Sequence, residues 1–277
     1  MQTVKTLHEL RQVRSELPRP VGLVPTMGFL HDGHLDLVRR ARETCASVVV
    51  SIFVNPTQFG PAEDFSAYPR NLERDLNLLA QAGTDLVWAP DPQEMYPAGY
   101  QTWVMVENVT QPLEGRMRLG HFRGVATVVA KLFNAVQPDK AFFGQKDAQQ
   151  VVVLQQMGRD LNFPVEIEVC PTRREDDGLA MSSRNTYLKP DERQAATVLY
   201  RALNAAQNAY SQGVRSADSL RQKMQAVLAE EPLAHPQYVS CADRTTLLEL
   251  DTVTDGALLS MAVFIGKTRL IDNIVLE

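Results

Sequence analysis

The sequence predicts an α/β fold, with a parallel β-sheet covered by helices on both faces and a smaller α+β domain at the C-terminus. Short apolar segments of strand length alternate with segments whose apolar residues recur at helical spacing, which is typical of a parallel sheet. The longest apolar stretch, Ala46 to Val54, is continuous and rich in valine, as expected of a central strand buried on both sides. The composition changes after Asn185, where Ala- and Gln-rich helical sequence begins. We therefore expect two domains, 1–185 and 186–277.

The elements are expected in a regular order along the chain. In the first domain the predicted strands are 21–25, 47–54, 84–88, 140–143 and 165–170. The predicted helices between them are 34–44, 72–81, 124–136 and 147–161. In the second domain we expect helices over 192–211 and 216–230, and strands over 238–242, 261–265 and 270–275. Parallel sheets bind ligands outside the carboxyl ends of their strands, so the loops after these strands are the candidate site.

Composition and charge exclude several classes of protein. The 277 residues are 44% hydrophobic and 22% charged, which suits a folded chain, and the net charge of −5 gives no support for nucleic acid or an anionic membrane as a partner. The first twenty residues lack the apolar core of a secretion signal, and no segment reaches the roughly 18 apolar residues of a membrane span. Cys45, Cys170 and Cys241 form no metal-binding spacing, and we expect them to be reduced, buried thiols of a cytoplasmic protein.

Two histidines, His31 and His34, lie three residues apart between a predicted strand and a predicted helix. Gly28 follows the strand, where a positive φ or a close backbone approach is often needed, and Gly33 precedes the helix. The unpaired N–H groups of a helix N-terminus suit a phosphate, and an imidazole can donate a proton to one. The alternatives are histidines that only cap a turn, or a metal site, although no third metal ligand is evident nearby. The position at a strand-to-helix junction favours a nucleotide site.

Five sequence stretches carry a family resemblance. The segment His31-Asp32-Gly33-His34 resembles the H-x-G-H signature of the nucleotidylyltransferase superfamily, which alone indicates adenylate chemistry and no substrate. The five stretches are PTMGFLHDGH (25–34), NPTQF (55–59), GHFRGV (120–125), FGQKDAQQ (143–150) and DGLAMSSRN (177–185). In this order and spacing they resemble the pantothenate synthetases, or pantoate–β-alanine ligases, from about Thr3 to the C-terminus.

The resemblance implies an enzyme that condenses pantoate with β-alanine. In that family ATP and Mg²⁺ are used, pantoyl adenylate is the intermediate, and AMP and pyrophosphate are released. The resemblance also implies a Rossmann-like N-terminal domain, a smaller C-terminal lid domain, a homodimer and a cytoplasmic location. Such chemistry needs positioned positive charge and hydrogen-bond donors, and it needs no side-chain nucleophile.

The resemblance also implies which residues form the site. The implied catalytic residues are His34 as proton donor, His31, Lys146 and Arg184. The implied ATP-binding residues are Met27, Gly28, Phe29, Leu30, His31, Asp32, Gly33, His34, Gly144, Gln145, Lys146, Asp147, Arg173, Met181, Ser182, Ser183 and Arg184. The implied substrate-binding residues are Gln58, Gln150, Asn55, Arg118 and His121. A glutamine amide both donates and accepts, which suits the hydroxyls and carboxylate of pantoate. Asp147 is left open between the ribose and Mg²⁺.

Three residues depart from the family pattern. Gln145 stands where a glutamate is usual, and Leu119 stands where a proline is usual. Arg173 replaces a valine whose backbone usually meets adenine. A backbone contact tolerates a different side chain, so ATP remains the expected nucleotide.

Three other functions compete with this interpretation. A nucleotidylyltransferase proper would share H-x-G-H but would form a stable dinucleotide-like product instead of AMP. A relative of the aminoacyl-tRNA synthetases would need an RNA-binding surface, which the acidic chain does not suggest. A non-catalytic nucleotide-binding module would have no need of His34, Lys146 and the Ser-Ser-Arg sequence together.

Overall fold

A six-stranded parallel β-sheet forms the centre of the N-terminal part of the computed structural model, which describes residues 1–61 and 63–277. Its strands are β1 (Gln2–Val4), β2 (Val21–Thr26), β3 (Ser47–Ile52), β4 (Leu86–Trp88), β5 (Lys140–Gly144) and β6 (Glu166–Cys170). The spatial order is β1-β4-β3-β2-β5-β6, and every neighbouring pair is parallel. The predicted parallel sheet is confirmed.

Helices cover both faces of this sheet. They are α1 (Leu7–Glu16), α2 (Asp32–Thr44), α3 (Leu72–Gln81), α4 (Pro92–Met95), α5 (Glu114–Met117), α6 (His121–Val136) and α7 (Ala148–Asp160), with 3₁₀ turns at Pro56–Gln58 and Gln145–Asp147. Side chains alternate along a strand, so Val49 joins one hydrophobic cluster while Val48 and Val50 join the other. The first cluster is completed by α1, α6 and α7, and the second by α2 and α3. The prediction of helices on both faces is confirmed.

A separate α+β part lies at the C-terminus, as predicted, and its sheet is antiparallel. A 3₁₀ segment at Ser183–Tyr187 leads to α8 (Pro190–Ala195), α9 (Val198–Ser211), α10 (Ala217–Ala229), β7 (Ala234–Ala242), β8 (Ala257–Ile265) and β9 (Thr268–Leu276). The strand order is β7-β8-β9, and α9 and α10 pack on this sheet in their own hydrophobic cluster. That cluster includes Leu179, so apolar packing of this part begins before the predicted boundary, which stays a prediction.

Several element bounds differ from those predicted. The sequence-based prediction missed β1 and α1, although Thr6 and Glu9 form a capping box that signals the start of α1. The helix predicted over 192–211 is two helices, α8 and α9, separated at 196–197. The strand β7 begins four residues earlier than predicted, at Ala234, and contains Pro236 next to a register shift. Proline is tolerated there because β7 lies at the edge of its sheet.

The cysteines and the helix lengths bear on the expected type of protein. Cys45, Cys170 and Cys241 are all unpaired and buried, as predicted. Within residues 1–61 and 63–277, no helix combines the length and the apolar character needed to cross a membrane.

The packing of α6 against the Pro56–Gln58 turn predicts a large effect of one methyl group. A Cβ at Gly124 would lie 2.5 Å from Thr57 O and 2.8 Å from Gln58 Cα, which are backbone atoms that cannot swing away. We expect Gly124→Ala to lower the free energy of unfolding by about 1 to 3 kcal/mol. On α7, a Cβ at Gly158 would meet only Ile167 Cδ1 at 3.7 Å. Gly158→Ala should therefore be neutral or stabilise by up to about 1 kcal/mol. Urea unfolding of both variants measures this, and equal effects of the two substitutions would contradict it.

Candidate active site

The loop between β2 and α2 is held by a buried carboxylate. Gly28 and Phe29 both have positive φ, at 80° and 50°. Asp75 of α3, whose side chain is 1% exposed, accepts the N–H groups of Phe29 at 2.7 Å and Leu30 at 2.8 Å. A Cβ at Gly28 would stand 3.1 Å from Asp75 Oδ2, so this close approach and the positive φ both favour glycine. Asp75 thus fixes the loop that was predicted to bind ATP.

The two histidines lie side by side at the start of α2, with ring centroids 4.0 Å apart. His31 precedes the first turn, and its N–H donates to His34 Nδ1 at 3.3 Å. His34 Nδ1 is therefore an acceptor, and a neutral His34 carries its proton on Nε2. Asp32, in the same turn, is exposed. A Cβ at Gly33 would lie 3.0 Å from the His31 ring. Glycine at position 33 leaves room for the imidazole.

Burial and neighbouring charge keep both imidazoles neutral. Burial and the charge of Lys146 together lower the pKa of His31 to about 4, against the opposing charge of Asp147. Burial also lowers the pKa of His34 well below its usual value, with His31 and Lys146 acting in the same direction. His31 Nδ1 is buried and makes no hydrogen bond with the described residues. Lys146 therefore acts electrostatically on the histidine pair although it belongs to a different loop.

The Lys146 turn follows β5, the strand next to β2. Gly144 ends β5 in an extended conformation, and the 3₁₀ turn Gln145–Asp147 leads directly into α7. Among the described residues, Lys146 has no ion-pair partner, so its ammonium is available for an anion. Gln145, one of the three departures from the family pattern, donates from Nε2 to Asn273 Oδ1 at 3.0 Å.

The segment 173–184 folds back on itself and contacts the β2–α2 loop. The carbonyl of Arg173 accepts the N–H of Met181 at 3.0 Å, and the Arg173 side chain is half exposed, 3.7 Å from Asp36. Ser183 donates from Oγ to Phe29 O at 3.2 Å, which joins the Ser-Ser-Arg loop to the glycine loop. Ser182 Oγ accepts the Arg184 N–H at 3.3 Å. The two predicted parts of the ATP site are therefore in direct contact.

Arg184 is paired with a carboxylate that the sequence analysis did not select. Its guanidinium donates to Asp64 at 2.9 and 2.8 Å, a two-point contact, and Tyr187 also donates to Asp64 at 3.2 Å. Burial by itself raises the pKa of Asp64, but the hydrogen bonds and charge of Arg184 outweigh it and lower that pKa below its usual value. An anionic ligand at Arg184 would have to compete with Asp64.

Asn55 is an internal support for the Pro56–Gln58 turn. It is 1% exposed, and its Nδ2 donates to Gly124 O and Gln58 Oε1, both at 3.1 Å. Its Oδ1 accepts from Thr57 and from the Tyr96 hydroxyl, which lies at 2.9 Å. With its amide so occupied, Asn55 positions Gln58 instead of presenting its own side chain to a ligand.

Arg118 and His121 form a second paired cluster. Arg118 contacts Glu63 through two hydrogen bonds of 2.8 and 2.7 Å. His121 Nδ1 lies 2.8 Å from Gln58 O and must donate to it, so Nε2 is the acceptor for Arg118 at 3.1 Å. Burial and the charge of Arg118 together lower the pKa of His121 to about 4. The neutral imidazole thus links Arg118 to Gln58.

A cleft of about 810 Å³ lies between the parallel sheet and the C-terminal sheet. The predicted site residues that line it are Lys146, Asp147, Ser182, Arg184 and Arg118. A smaller adjoining cavity of about 40 Å³ brings Gln150 and His121 to Lys146, Asp147 and Arg118. The glycine loop, the two histidines, Asn55 and Gln58 line neither cavity and lie on the parallel-sheet side.

The sequence analysis missed several residues that hold this arrangement. They are Asp75, Glu63, Asp64, Glu114, Asp272 and Asn273. Glu114 is buried and binds Arg269 of β9 at 2.7 and 2.8 Å, and it accepts from the Tyr238 hydroxyl at 3.0 Å. The available signal for Asp272 and Asn273 was a polar pair inside the apolar strand β9. Leu119, the third departure, is exposed.

Comparison with known proteins decides the family. The model of the family described as pantoate-beta-alanine ligase matches residues 1–275. The chain belongs to the pantoate-beta-alanine ligase family. A pantothenate synthetase of Roseiflexus castenholzii is 60% identical over 277 residues, which is all of both chains. That of Moorella thermoacetica is 52% identical and covers all of this chain and 98% of its own.

Solved structures of pantoate-beta-alanine ligases have the same fold. The pantothenate synthetase of Thermus thermophilus is 51% identical, covers 99% of both chains and superposes with a TM-score of 0.95. The Francisella tularensis ligase, solved with Beta-gamma ATP and Beta-alanine, is 33% identical and has a TM-score of 0.83, covering 99% of this chain and 97% of its own. The family predicted from five motifs is confirmed, as is membership of an enzyme family of ligases.

Removing the Asp75 carboxylate should release the glycine loop. Asp75→Ala leaves the N–H groups of Phe29 and Leu30 without their acceptor. We expect the free energy of unfolding to fall by about 2 to 4 kcal/mol, measured by urea unfolding. Glu73→Ala on the same helix is the matched control, since Glu73 is exposed, and it should change this energy by less than about 0.5 kcal/mol. A loss as small in Asp75→Ala would show that Asp75 does not hold the loop.

The half-buried His31 and the buried His121 predict a loss of stability in mild acid. The unfolded chain binds protons at His31 and His121 below about pH 6.5, whereas the folded pKa of each is about 4. Their contribution to stability is therefore fully present above about pH 6.5 and is lost as the pH falls towards 4. Urea unfolding between about pH 7 and pH 5 should give a falling free energy of unfolding. The slope should be shallower in His121→Gln, and an unchanged slope in this variant would contradict the prediction.

Proposed function

We propose that the chain condenses pantoate with β-alanine to form pantothenate at the expense of ATP. A pantoate carboxylate oxygen attacks the α-phosphorus of ATP, and pyrophosphate leaves with the electrons of the broken P–O bond. The amine of β-alanine then attacks the acyl carbon of pantoyl adenylate, and AMP leaves. The observation that carries the proposal is the convergence of Lys146, Ser182 and Arg184 on one cleft in a chain whose residues 1–275 match this ligase family.

The first step calls for donors around the ATP phosphates, where negative charge spreads as pyrophosphate leaves. We assign His34 Nε2 as a neutral hydrogen-bond or proton donor, because Nδ1 is already occupied by the His31 N–H. His31 keeps this imidazole in place through that bond. Lys146 has no ion pair among the described residues, and it supplies positive charge to the phosphates from the turn after β5. In this arrangement no side chain forms a covalent bond to the substrate.

The Ser-Ser-Arg loop is assigned to the phosphates as well. Ser183 ties this loop to the glycine loop through Phe29, so nucleotide bound between them would contact both. Arg184 can bind a phosphate with two parallel hydrogen bonds once Asp64 releases it. The exchange of Asp64 for a phosphate at Arg184 suits a loop that closes on its ligand.

Pantoate is assigned to the region of Gln58 and Gln150. The Gln58 side chain lies between Met27 and Asn55, and Gln150 lines the small cavity with Arg118 and His121. The amides of both glutamines can donate to and accept from the pantoate hydroxyls. Arg118 would bind the pantoate or β-alanine carboxylate in exchange for Glu63. Asn55 and His121 act on Gln58 through their hydrogen bonds to it.

Mg²⁺ is proposed to enter with the nucleotide. Within the described ranges, no group of three His, Cys, Asp or Glu side chains is arranged to hold a metal ion. These residues do not form a site in which protein side chains alone coordinate Mg²⁺. They fit a Mg²⁺ ion bound to the ATP phosphates, because Mg²⁺ commonly takes only one or two protein carboxylates. Asp147 in the cleft is the candidate carboxylate for that ion or for the ribose.

Three further proposals follow from the family resemblance. We propose that residues 1–185 bind ATP and pantoate and that residues 186–277 act as a lid. We also propose that the protein is a homodimer and that it works in the cytoplasm.

Pyrophosphate–ATP exchange tests the proposed adenylation step. With pantoate present and β-alanine absent, the protein should exchange labelled pyrophosphate into ATP, and adding β-alanine should give AMP and pantothenate. Exchange that does not depend on pantoate would overturn the substrate assignment. A stable dinucleotide-like product would favour a nucleotidylyltransferase instead.

The same assay tests the residue roles. We expect His34→Ala and Lys146→Ala each to slow exchange by about 10²-fold or more, since each removes a donor to developing phosphate charge. Lys223→Ala, which removes an exposed lysine from α10, is the matched control and should exchange at the wild-type rate. Circular dichroism establishes that each variant is folded. Near wild-type exchange in both site variants would refute the assignment.

A further inference from the structure

One amide side chain from the C-terminal sheet holds the turn that carries Lys146. Asn273 lies on β9 and is 4% exposed. Its Nδ2 donates to the backbone carbonyls of Gln145 and Lys146 at 3.0 and 2.9 Å. Its Oδ1 accepts from Gln145 Nε2 at 3.0 Å. Both amide hydrogens and the amide oxygen of Asn273 are thus used on this turn.

The Gln145–Asp147 turn has little local support. It is a 3₁₀ helix of three residues, and the polar groups at the ends of such a short element need partners from outside it. Gly144, before the turn, has no side chain that could cap it. Asp147, at the start of α7, makes no side-chain capping hydrogen bond. Asn273 is 127 residues from Lys146 in the chain, so its support depends entirely on how the two sheets are packed together.

Asn273 is itself held by a buried ion pair. Its N–H donates to Asp272 Oδ1 at 2.8 Å, and Asp272 accepts from Arg174 at 2.7 and 3.0 Å. Arg174 also donates to Asn273 O at 3.3 Å. Arg174 belongs to the segment that leads to the Ser-Ser-Arg loop, so β9 is bound both to that segment and to the Lys146 turn.

We propose that Asn273 is a positioning residue for the adenylation step, because it fixes from β9 the backbone from which Lys146 reaches the ATP phosphates. Lysine is a point charge on a flexible four-carbon stem, so the place of its charge depends on where its backbone is held. A displacement of about 1 Å in such a group can slow a reaction on the order of 10²-fold. The inference rests on the proposed function, since the position of Lys146 matters only if Lys146 acts in adenylation.

Gln145 completes this arrangement in the present chain. Its Nε2 donates to the one oxygen of the Asn273 amide, which leaves both amide hydrogens for the backbone carbonyls. A glutamate at position 145 would place an acceptor against that oxygen. Gln145 thus presents a donor to the Asn273 amide oxygen.

The test compares Asn273 variants with and without Lys146. Asn273→Leu removes the donors without adding charge, and Asn273→Asp replaces the amide with a carboxylate of the same shape. Each is made in the wild-type chain and in Lys146→Ala, and pantoate-dependent pyrophosphate–ATP exchange is measured. In the wild-type background we expect exchange to slow by about tenfold to a hundredfold, with the pantoate KM changed by less than about twofold. In the Lys146→Ala background we expect a further loss of less than about twofold.

Controls separate positioning from loss of structure. Asn134→Asp removes an amide donation to Ala130 O on α6, away from the cleft, and should leave exchange unchanged. Gln145→Glu is the milder variant for use if the Asn273 variants do not fold, and it should slow exchange by about threefold to tenfold only when Lys146 is present. An equal loss in both backgrounds would overturn the positioning role alone. Wild-type exchange in Lys146→Ala, or no pantoate-dependent exchange in the wild type, would overturn the proposed function together with this inference.

Discussion

Carboxylates that are wholly or partly buried hold together the loops of the candidate site. These loops follow the parallel strands and have no hydrogen-bond ladder of their own, so their N–H groups and arginines need acceptors from elsewhere. Asp75 accepts two backbone N–H groups of the glycine loop, and Asp64 holds Arg184. Asp272 holds Arg174 in the same way. An ionised carboxylate suits this task because each of its oxygens can accept more than one donor.

The strand β9 links the C-terminal sheet to the N-terminal part of the chain. Arg269 near its start binds Glu114, while Asp272 and Asn273 bind Arg174 and the Lys146 turn. The contacts to Glu114 and Asp272 are buried, where the loss of one partner leaves the other charge uncompensated. Movement of the C-terminal sheet as a lid would therefore either carry the Lys146 turn with it or exchange these contacts.

Electrostatics in the site favour donors over acceptors. The His31–His34 pair is half-buried near Lys146, so a second positive charge there is unfavourable and both rings stay neutral. A neutral His34 with its proton on Nε2 remains a donor without repelling the ammonium. Arg118 is instead paired with Glu63, and Arg184 is paired with Asp64.

The sequence by itself determined the parallel sheet, its helices, the smaller α+β part at the C-terminus and the family. Apolar periodicity and contiguous motifs are local properties of the chain, so they can be recognised without coordinates. The motif residues Lys146, Ser182 and Arg184 were selected in this way, and they line one cleft. Tertiary structure alone decided that Asp75 holds the glycine loop and that Asn273 holds the Lys146 turn. The partners in those contacts are 45 to 46 and 127 to 128 residues apart, and only packing of distant elements brings them together, because no local pattern encodes which buried donor a distant acceptor meets.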